Sequence, residues 1–203
     1  MTHKDIIKLN LGCGPNGIKG WINYDWGILP VLSKIPYIRR FLIKLKVLSK
    51  SYDAVWPDIE LVDIRRKLPL ENESVNYIYC SHVLEHFEKY EALNILKECR
   101  RVLKEGGVIR VVLPDLREMI RKYKDAEEFN REFFGYEKDE KSIFNLFIRG
   151  HQWMYDESSF LRVFEEVFGN VKKCSFRKGV VPDLEKLDLE IHNDHSFYTE
   201  ARK

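Results

Sequence analysis

Residues that could bind a nucleotide-like ligand follow four short apolar runs in the first half of the chain. A glycine turn at residues 12–17 follows the first run, and Asp25, Asp63 and the pair Ser81 and His82 stand at or near the ends of the next three. Glycine lets a ligand approach the backbone closely, and a carboxylate can accept two hydrogen bonds from a ribose diol. Together these positions predict a pocket for a ligand that contains a ribose.

The spacing around the glycine turn argues against two phosphate-binding motifs. The turn lacks the GxxxxGK[ST] pattern of a P-loop. Gly12, Gly14 and Gly17 give the letters G-x-G-x-x-G, but only three residues separate Gly17 from Trp21, where the next run begins. No full helix fits there, whereas a dinucleotide pyrophosphate needs a helix N-terminus at that point. A ligand without phosphates is therefore favoured.

Segments of strand length and helix length alternate along the chain and would position these residues. Strand-length runs bounded by turn residues lie at 6–11, 21–24, 60–64, 75–80, 108–113, 171–176 and 196–201. Helical spacing of apolar residues predicts helices over 82–103 (with a short break), 115–129 and 157–168. The last helix follows Asp156, a good N-cap, and ends at Gly169. This alternation predicts an α/β fold with a mostly parallel sheet covered on both faces.

The composition indicates one globular domain over residues 1–203. A hydrophobic fraction of 44% excludes a disordered chain, and 34 Lys+Arg against 32 Asp+Glu argues against a dedicated nucleic-acid binder. The sequence has no run of 18 apolar residues and no signal-peptide pattern. Its four cysteines are far apart and form no CxxC pair, which predicts reduced thiols and a cytoplasmic protein.

Residues 27–57 and 131–150 are predicted insertions into this domain. Within the first, residues 34–50 carry six basic side chains and no acid. On a helix, Ile43 and Val47 would lie opposite a shared apolar face. One interpretation is a helix packed on the domain, and the other is a lid or a peripheral contact with an anionic membrane or substrate. The shared face comprises Ile38, Phe41, Leu42, Leu45 and Leu48.

The motifs also resemble those of a known family. LNLGCGPNG, GWINYD, LVDIRRKLPLENESVNYIYCSHVLEHF and ECRRVLKEGGVIRVVLPDL, in this order, look like the type 11 branch of class I S-adenosylmethionine-dependent methyltransferases. The likeness covers most of residues 6–118 and extends to the final helix and strand pair. It implies a Rossmann-like fold with a seven-stranded sheet and an antiparallel C-terminal strand. It also implies an enzyme of the EC 2.1.1 class, with S-adenosylmethionine as cofactor and S-adenosylhomocysteine as product.

The resemblance further implies contacts between the cofactor and particular residues. Asp25 would bind the ribose hydroxyls, while Asp63 and the backbone of Ile64 would hold the adenine. One departure from the family pattern is Asn10, which replaces the acid that often opens the first motif. The remaining implied contacts are Gly12, Cys13 and Gly14 at the methionine part, and Ser81 and His82 near the sulfonium.

The methyl acceptor is expected to be a small molecule or a glycan, by analogy with type 11 relatives. An oxygen acceptor needs help in losing its proton, and a histidine or carboxylate on the rim could give it. The sequence does not favour one base, and an enzyme that acts by proximity would need none. A catalytically silent binding or assembly module is the alternative function. The candidate bases are His82, His86, Asp115 and His151.

Residues 82–86 also match H-x-x-E-H, the inverted zinc-peptidase pattern. That pattern needs two histidines on one helical face and an acidic ligand downstream. Here it starts directly at a strand end, so a zinc hydrolase is only a remote alternative and no metal is expected. His192 and His195 lie in a polar stretch and are expected at the surface.

Overall fold

Seven strands form one sheet in a computed structural model that describes residues 6–48, 53, 55–134 and 149–203. The strands are β1 (Lys8–Leu11), β2 (Ile22–Asp25), β3 (Glu60–Leu61), β4 (Val75–Ser81), β5 (Leu103–Pro114), β6 (Val171–Cys174) and β7 (Ser196–Arg202). Their order is β3-β2-β1-β4-β5-β7-β6. The first five are mutually parallel, and β7 is antiparallel to both β5 and β6. The predicted sheet is confirmed.

Helices flank the sheet at positions that partly differ from the predictions. They are α1 (Ile28–Ser33), α2 (Pro36–Lys44), α3 (Lys89–Val102), α4 (Leu116–Arg121), α5 (Ala126–Phe134), α6 (Glu157–Phe168) and α7 (Leu184–Leu187). The predicted helix over 115–129 is two helices, because the Asp125 carboxylate accepts a hydrogen bond from the Glu128 amide and starts α5 anew. The predicted helix from residue 82 begins only at Lys89, after a capping box between Glu88 and Glu91.

One face of the sheet is covered by α3 and α6 through a large apolar cluster. Side chains alternate along β5, so Ile109 and Val111 point into this cluster. The predicted limits of α6 are confirmed: a capping box between Asp156 and Ser159 starts it, and Gly169 ends it in the left-handed conformation.

The opposite face is covered by residues 175–195, which connect β6 to β7 and include α7. Their apolar side chains pack with Tyr79, Val108 and Val112 of the sheet. On this face Arg110 of β5 is fully buried. It donates two hydrogen bonds to Asp188, at 3.1 and 2.6 Å, and lies 3.4 Å from Glu200. No sequence motif indicates this ionic contact.

The first insertion folds as α1 and α2, but the apolar face predicted for it is wrong in part. The helix pair packs through a small cluster around Leu32 and Leu48. Leu42 and Leu48 of the predicted face contribute to that cluster, and so do Ile43 and Val47, which were expected opposite. The rest of the predicted face, Ile38, Phe41 and Leu45, is 48–58% exposed. Residues 49–52, 54 and, in the second insertion, 135–148 lie outside the described residues.

Among the described residues, no helix combines the length and apolar character needed to cross a membrane.

Candidate active site

A cavity of about 560 Å³ opens where the parallel strands end. Ligands bind to open parallel sheets at this edge, beyond the carboxyl ends of the strands. Some of the residues that line the cavity are not part of any sequence motif, among them Trp26, Trp56, Arg65 and Arg149. The lining residues that the sequence predicted are Gly12, Gly14, Asp25, Asp63, Ile64, His82 and His86.

The glycine turn places bare backbone on the cavity wall. Gly12 has a φ of +62°, and a Cβ added there would overlap the side chain of Val83. Gly14 has a φ of +54°, and a Cβ added there would meet no atom within 4 Å. A single 3₁₀ turn over Gly14–Asn16 replaces the helix between β1 and β2, which confirms that no full helix fits. A ligand can therefore lie directly against the backbone at Gly14.

Asp25 ends β2 beside this turn. Its Oδ2 accepts a hydrogen bond from the Gly14 amide at 2.6 Å, and its Oδ1 accepts one from the Trp26 amide at 2.6 Å. Burial raises the pKa of Asp25, and these two hydrogen bonds oppose the shift. Each carboxylate oxygen retains a second lone pair. The group is fixed by the backbone and still able to accept hydrogen bonds from a ribose diol.

Asp63 lies past the end of β3 and is already engaged. Arg65 donates to both of its carboxylate oxygens at 2.8 Å, and this contact holds the pKa of Asp63 below its usual range. A carboxylate bound by a guanidinium in this way has less capacity for an adenine amino group. Ile64 is buried beside it and offers an apolar surface to the cavity.

Three histidines meet at the end of β4. The ring of His82 stacks on His192 with centroids 3.7 Å apart, and His195 meets it edge-on at 5.9 Å. His192 and His195, which were expected at the surface, are partly exposed and meet His82 in this cluster. Burial lowers the pKa of His82 to about 2, with His192 and His195 adding to the shift. His82 is thus neutral at pH 7.

The second half of the H-x-x-E-H pattern forms a different cluster. Leu84–His86 is one 3₁₀ turn, so the two histidines do not share an α-helical face as an inverted zinc peptidase requires. Instead, Glu85, His86 and His151 come together from two parts of the chain. Glu85 is 1% exposed, and burial raises its pKa to about 8. His86 lines the cavity, and burial lowers the pKa of His151 to about 4.

The other residues singled out from the sequence lie outside the cavity lining. Asp115 caps α4, where its carboxylate accepts a hydrogen bond from the Arg117 amide at 3.0 Å. Cys13 is buried, and its pKa rises to about 12, so its thiol is neutral. Ser81 is the last residue of β4. Asn10, in place of the usual acid, donates to the Asn23 side chain at 3.2 Å, which gives it a structural partner.

Comparison with known proteins finds a similarity to methyltransferases. A family described as a methyltransferase domain, type 11, matches residues 31–111, a span that begins after the glycine turn. No curated protein matches the sequence. Over residues 31–111 the chain is similar to this methyltransferase domain, and the sheet order and the cavity at the strand ends agree with that similarity.

Solved structures share the fold at low sequence identity. A SAM-dependent methyltransferase from Methanosarcina mazei is 12% identical with a TM-score of 0.55, and the match covers 98% of this chain and 93% of that one. One from Archaeoglobus fulgidus is 16% identical with a TM-score of 0.53, covering 98% and 87%. A Haloferax volcanii methyltransferase in complex with the Trm112 methyltransferase activator is 13% identical with a TM-score of 0.55, covering 97% and 81%.

Proposed function

We propose that the protein is an S-adenosylmethionine-dependent methyltransferase that acts on a small molecule or a glycan bound beside the cofactor. The observation that carries the proposal is the convergence of Gly14, Asp25, Ile64 and His82 on one cavity at the strand ends. Its volume of about 560 Å³ falls in the roughly 300–1,000 Å³ range of small-molecule sites. A cavity of this size suits a cofactor and a compact acceptor or one sugar unit.

The side chains around the cavity fit the cofactor. Asp25 would accept the ribose hydroxyls, the open backbone at Gly14 would receive the methionine part, and Ile64 would pack against the adenine. When bound, S-adenosylmethionine supplies a methyl group on a sulfonium that is already a good leaving group. The protein's contribution is to align the acceptor with that group and to exclude water. We assign no side chain as a general base.

Binding of S-adenosylhomocysteine, measured by titration calorimetry, tests the cofactor site. Asp25→Ala should weaken binding at least about tenfold, because it removes a charged acceptor of two hydrogen bonds. Asp25→Asn keeps the acceptor to the Gly14 amide and should lose less. Glu60→Gln, at an exposed position one strand away, is the matched control and should bind like the wild type. Folded wild-type protein that does not bind the ligand would refute the proposal.

Methyl transfer to a panel of hydroxylated small molecules and glycans distinguishes the enzyme from a silent binding module. The panel is incubated with S-adenosylmethionine that carries a labelled methyl group. A labelled product that forms with the wild type and not with Asp25→Ala supports the proposal that the protein is an enzyme. Cofactor binding without any labelled product, across sugars and small phenols alike, supports the silent module instead.

We further propose that α2 rests on an anionic lipid surface. Tyr37, Ile38 and Phe41 are 83, 48 and 58% exposed on this helix, although they are large and apolar. Arg40 and Lys44 are exposed on the same short element. Apolar side chains edged by basic ones are typical of helices that lie in a membrane interface. Since α1 contributes to the cavity wall, such docking would bring the cavity close to a membrane-associated acceptor.

Vesicle co-sedimentation tests this docking. Binding is expected with phosphatidylserine-containing vesicles and not with phosphatidylcholine alone, and it should weaken as salt screens the charges. Phe41→Asp should abolish it, whereas Tyr123→Asp, at a residue 56% exposed elsewhere, should not. Equal binding by both variants would contradict the proposal. A cytoplasmic location also stays a proposal, supported by four cysteines that form no disulfide.

A further inference from the structure

Glu85 has a buried carboxylate with no hydrogen-bond partner among the described residues. Both of its oxygens lack one, although the side chain is 1% exposed. The Nδ1 atom of His82 lies 3.5 Å from Oε1, which is too far for a good hydrogen bond. Burying a carboxyl group without a hydrogen bond is costly in either protonation state, and buried polar groups in native proteins usually have a specific partner.

Two imidazoles next to this carboxylate are already oriented by the backbone. The Nδ1 atom of His86 lies 2.9 Å from the carbonyl oxygen of Arg149, and Nδ1 of His151 lies 2.8 Å from that of Phe133. A carbonyl only accepts, so each Nδ1 carries the hydrogen and each Nε2 has the free lone pair of a neutral ring. Metal-binding histidines are usually held in this manner, with the second nitrogen donating to a carbonyl or carboxylate.

We propose that Glu85, His86 and His151 bind one divalent transition-metal ion. The candidate ligand atoms of the three residues lie within 4.8 Å of one another. Two imidazole nitrogens and one carboxylate oxygen match the ligand sets of catalytic zinc and non-haem iron(II) sites. Mg²⁺ and Ca²⁺ prefer oxygen ligands and are disfavoured.

The surrounding structure holds these ligands together. The amides of Gln152 and Trp153 donate to the carbonyl of Glu85 at 2.7 and 3.2 Å, so the segment after His151 is tied to the turn that carries the other two ligands. The nearby cation, Arg149, is paired with Glu91 at 2.6 Å, which offsets its charge. The competing cluster of His82, His192 and His195 is less suitable, because two of its rings stack face to face.

His86 also lines the cavity, so the ion would lie at its wall. Three protein ligands leave coordination positions free, and a hydroxyl that binds a metal ion loses its proton more readily. This part rests on the proposed function: the ion would activate an oxygen acceptor where no side chain is assigned as base. Metal binding itself does not depend on it.

The test uses untagged, chelator-treated protein titrated with Zn²⁺ by calorimetry and with Co²⁺ by visible absorption. One equivalent of each should bind, and Mg²⁺ should not compete. Glu85→Gln keeps the shape of the side chain and His151→Ala removes a ligand, and each should weaken binding at least about tenfold. Zn²⁺ should raise the Tm of the wild type and not that of Glu85→Gln, since binding to the native state stabilises it.

His192→Ala is the matched control, because it removes a histidine from the neighbouring cluster. The proposed ligands are supported if this variant binds the metal ion with wild-type affinity and the other two variants bind it more weakly. If His192→Ala lost metal binding and His151→Ala retained it, the proposal would be overturned. The absence of any stoichiometric metal binding by the wild type would overturn it too. S-adenosylhomocysteine titrated into the metal-free protein separates the two proposals: its binding there would leave the cofactor site intact even if no metal binds.

Discussion

The two faces of the sheet are stabilised in different ways. Under α3 and α6 the contact is apolar throughout, with Leu96, Phe160 and Phe164 at most 1% exposed. Under residues 175–195 an apolar rim surrounds a fully buried ion pair between Arg110 and Asp188. Apolar burial depends on area and tolerates some variation, whereas a buried charge requires its partner in place. The second face is therefore more specific and more vulnerable to single changes.

The variant Asp188→Ala gives the strongest test of this difference between the two faces. The variant would leave the Arg110 guanidinium buried without its main partner and should lower the free energy of unfolding by about 3–5 kcal/mol. Urea unfolding followed by circular dichroism measures the loss. The double variant Arg110→Met with Asp188→Leu removes both charges and should recover part of it, because the buried Glu200 then loses its contact with Arg110. A double variant as unstable as the single one would mean that the ion pair itself, and not the unpaired charge, accounts for the stability.

Leu96→Ala makes the corresponding change on the apolar face. It should cost about 2–5 kcal/mol, because it removes buried methyl groups and leaves a cavity. Leu93→Ala, at the edge of the same cluster, should cost clearly less. Leu96 packs only through apolar contacts in this cluster, so no second substitution is expected to restore Leu96→Ala in the way that removing the Arg110 charge partly restores Asp188→Ala. If Leu93→Ala cost as much, the burial pattern of α3 would be wrong.

The same contrast explains what the sequence could predict. Periodicity is local, so it located the strands and the limits of α6, and the glycine turn with Asp25 indicated the cavity edge. Arg110 in the otherwise apolar run 108–113 carries a signal, but its partner Asp188 is 78 residues away and no local pattern connects them. The proposed metal site likewise brings together Glu85 and His151, which are far apart in the sequence. For α2, apolar residues lie on two sides of the helix, and the predicted face is wrong in part: Ile43 packs against the cluster around Leu32 and Leu48, whereas Phe41 is exposed.

The N-cap of α6 offers a smaller test on the apolar face. The Asp156 carboxylate accepts a hydrogen bond from the Ser159 amide at 2.6 Å. Asp156→Ala should cost about 0.5–2 kcal/mol, the usual effect of removing an N-cap. Asp156→Asn retains the acceptor and should lose less when both are compared by urea unfolding. Equal losses would show that the negative charge, which also faces Arg117, matters more than the hydrogen bond.

The smallest effect is expected on the ionic face, where Asp183 joins α7 to the sheet. Its Oδ2 accepts from Lys8 at 2.8 Å and from the Trp21 indole at 2.9 Å, and the Lys8 contact holds the pKa of Asp183 below its usual range. Asp183→Asn keeps an acceptor and suits the left-handed backbone there, so it removes mainly the charge. It should cost about 0.2–1 kcal/mol at pH 7, as partly exposed ion pairs do.

The pH dependence of the stability lost in Asp183→Asn shows whether that loss comes from the negative charge. Because the native state holds the carboxylate ionised, the contribution is fully present above the unfolded-state pKa of roughly 3.9 and is lost as the pH falls through the lower native value. Urea unfolding of both proteins from pH 7 to pH 3 should therefore show a constant difference down to about pH 5 and a shrinking one below. A difference that persists unchanged into acid would assign the effect to hydrogen-bond geometry.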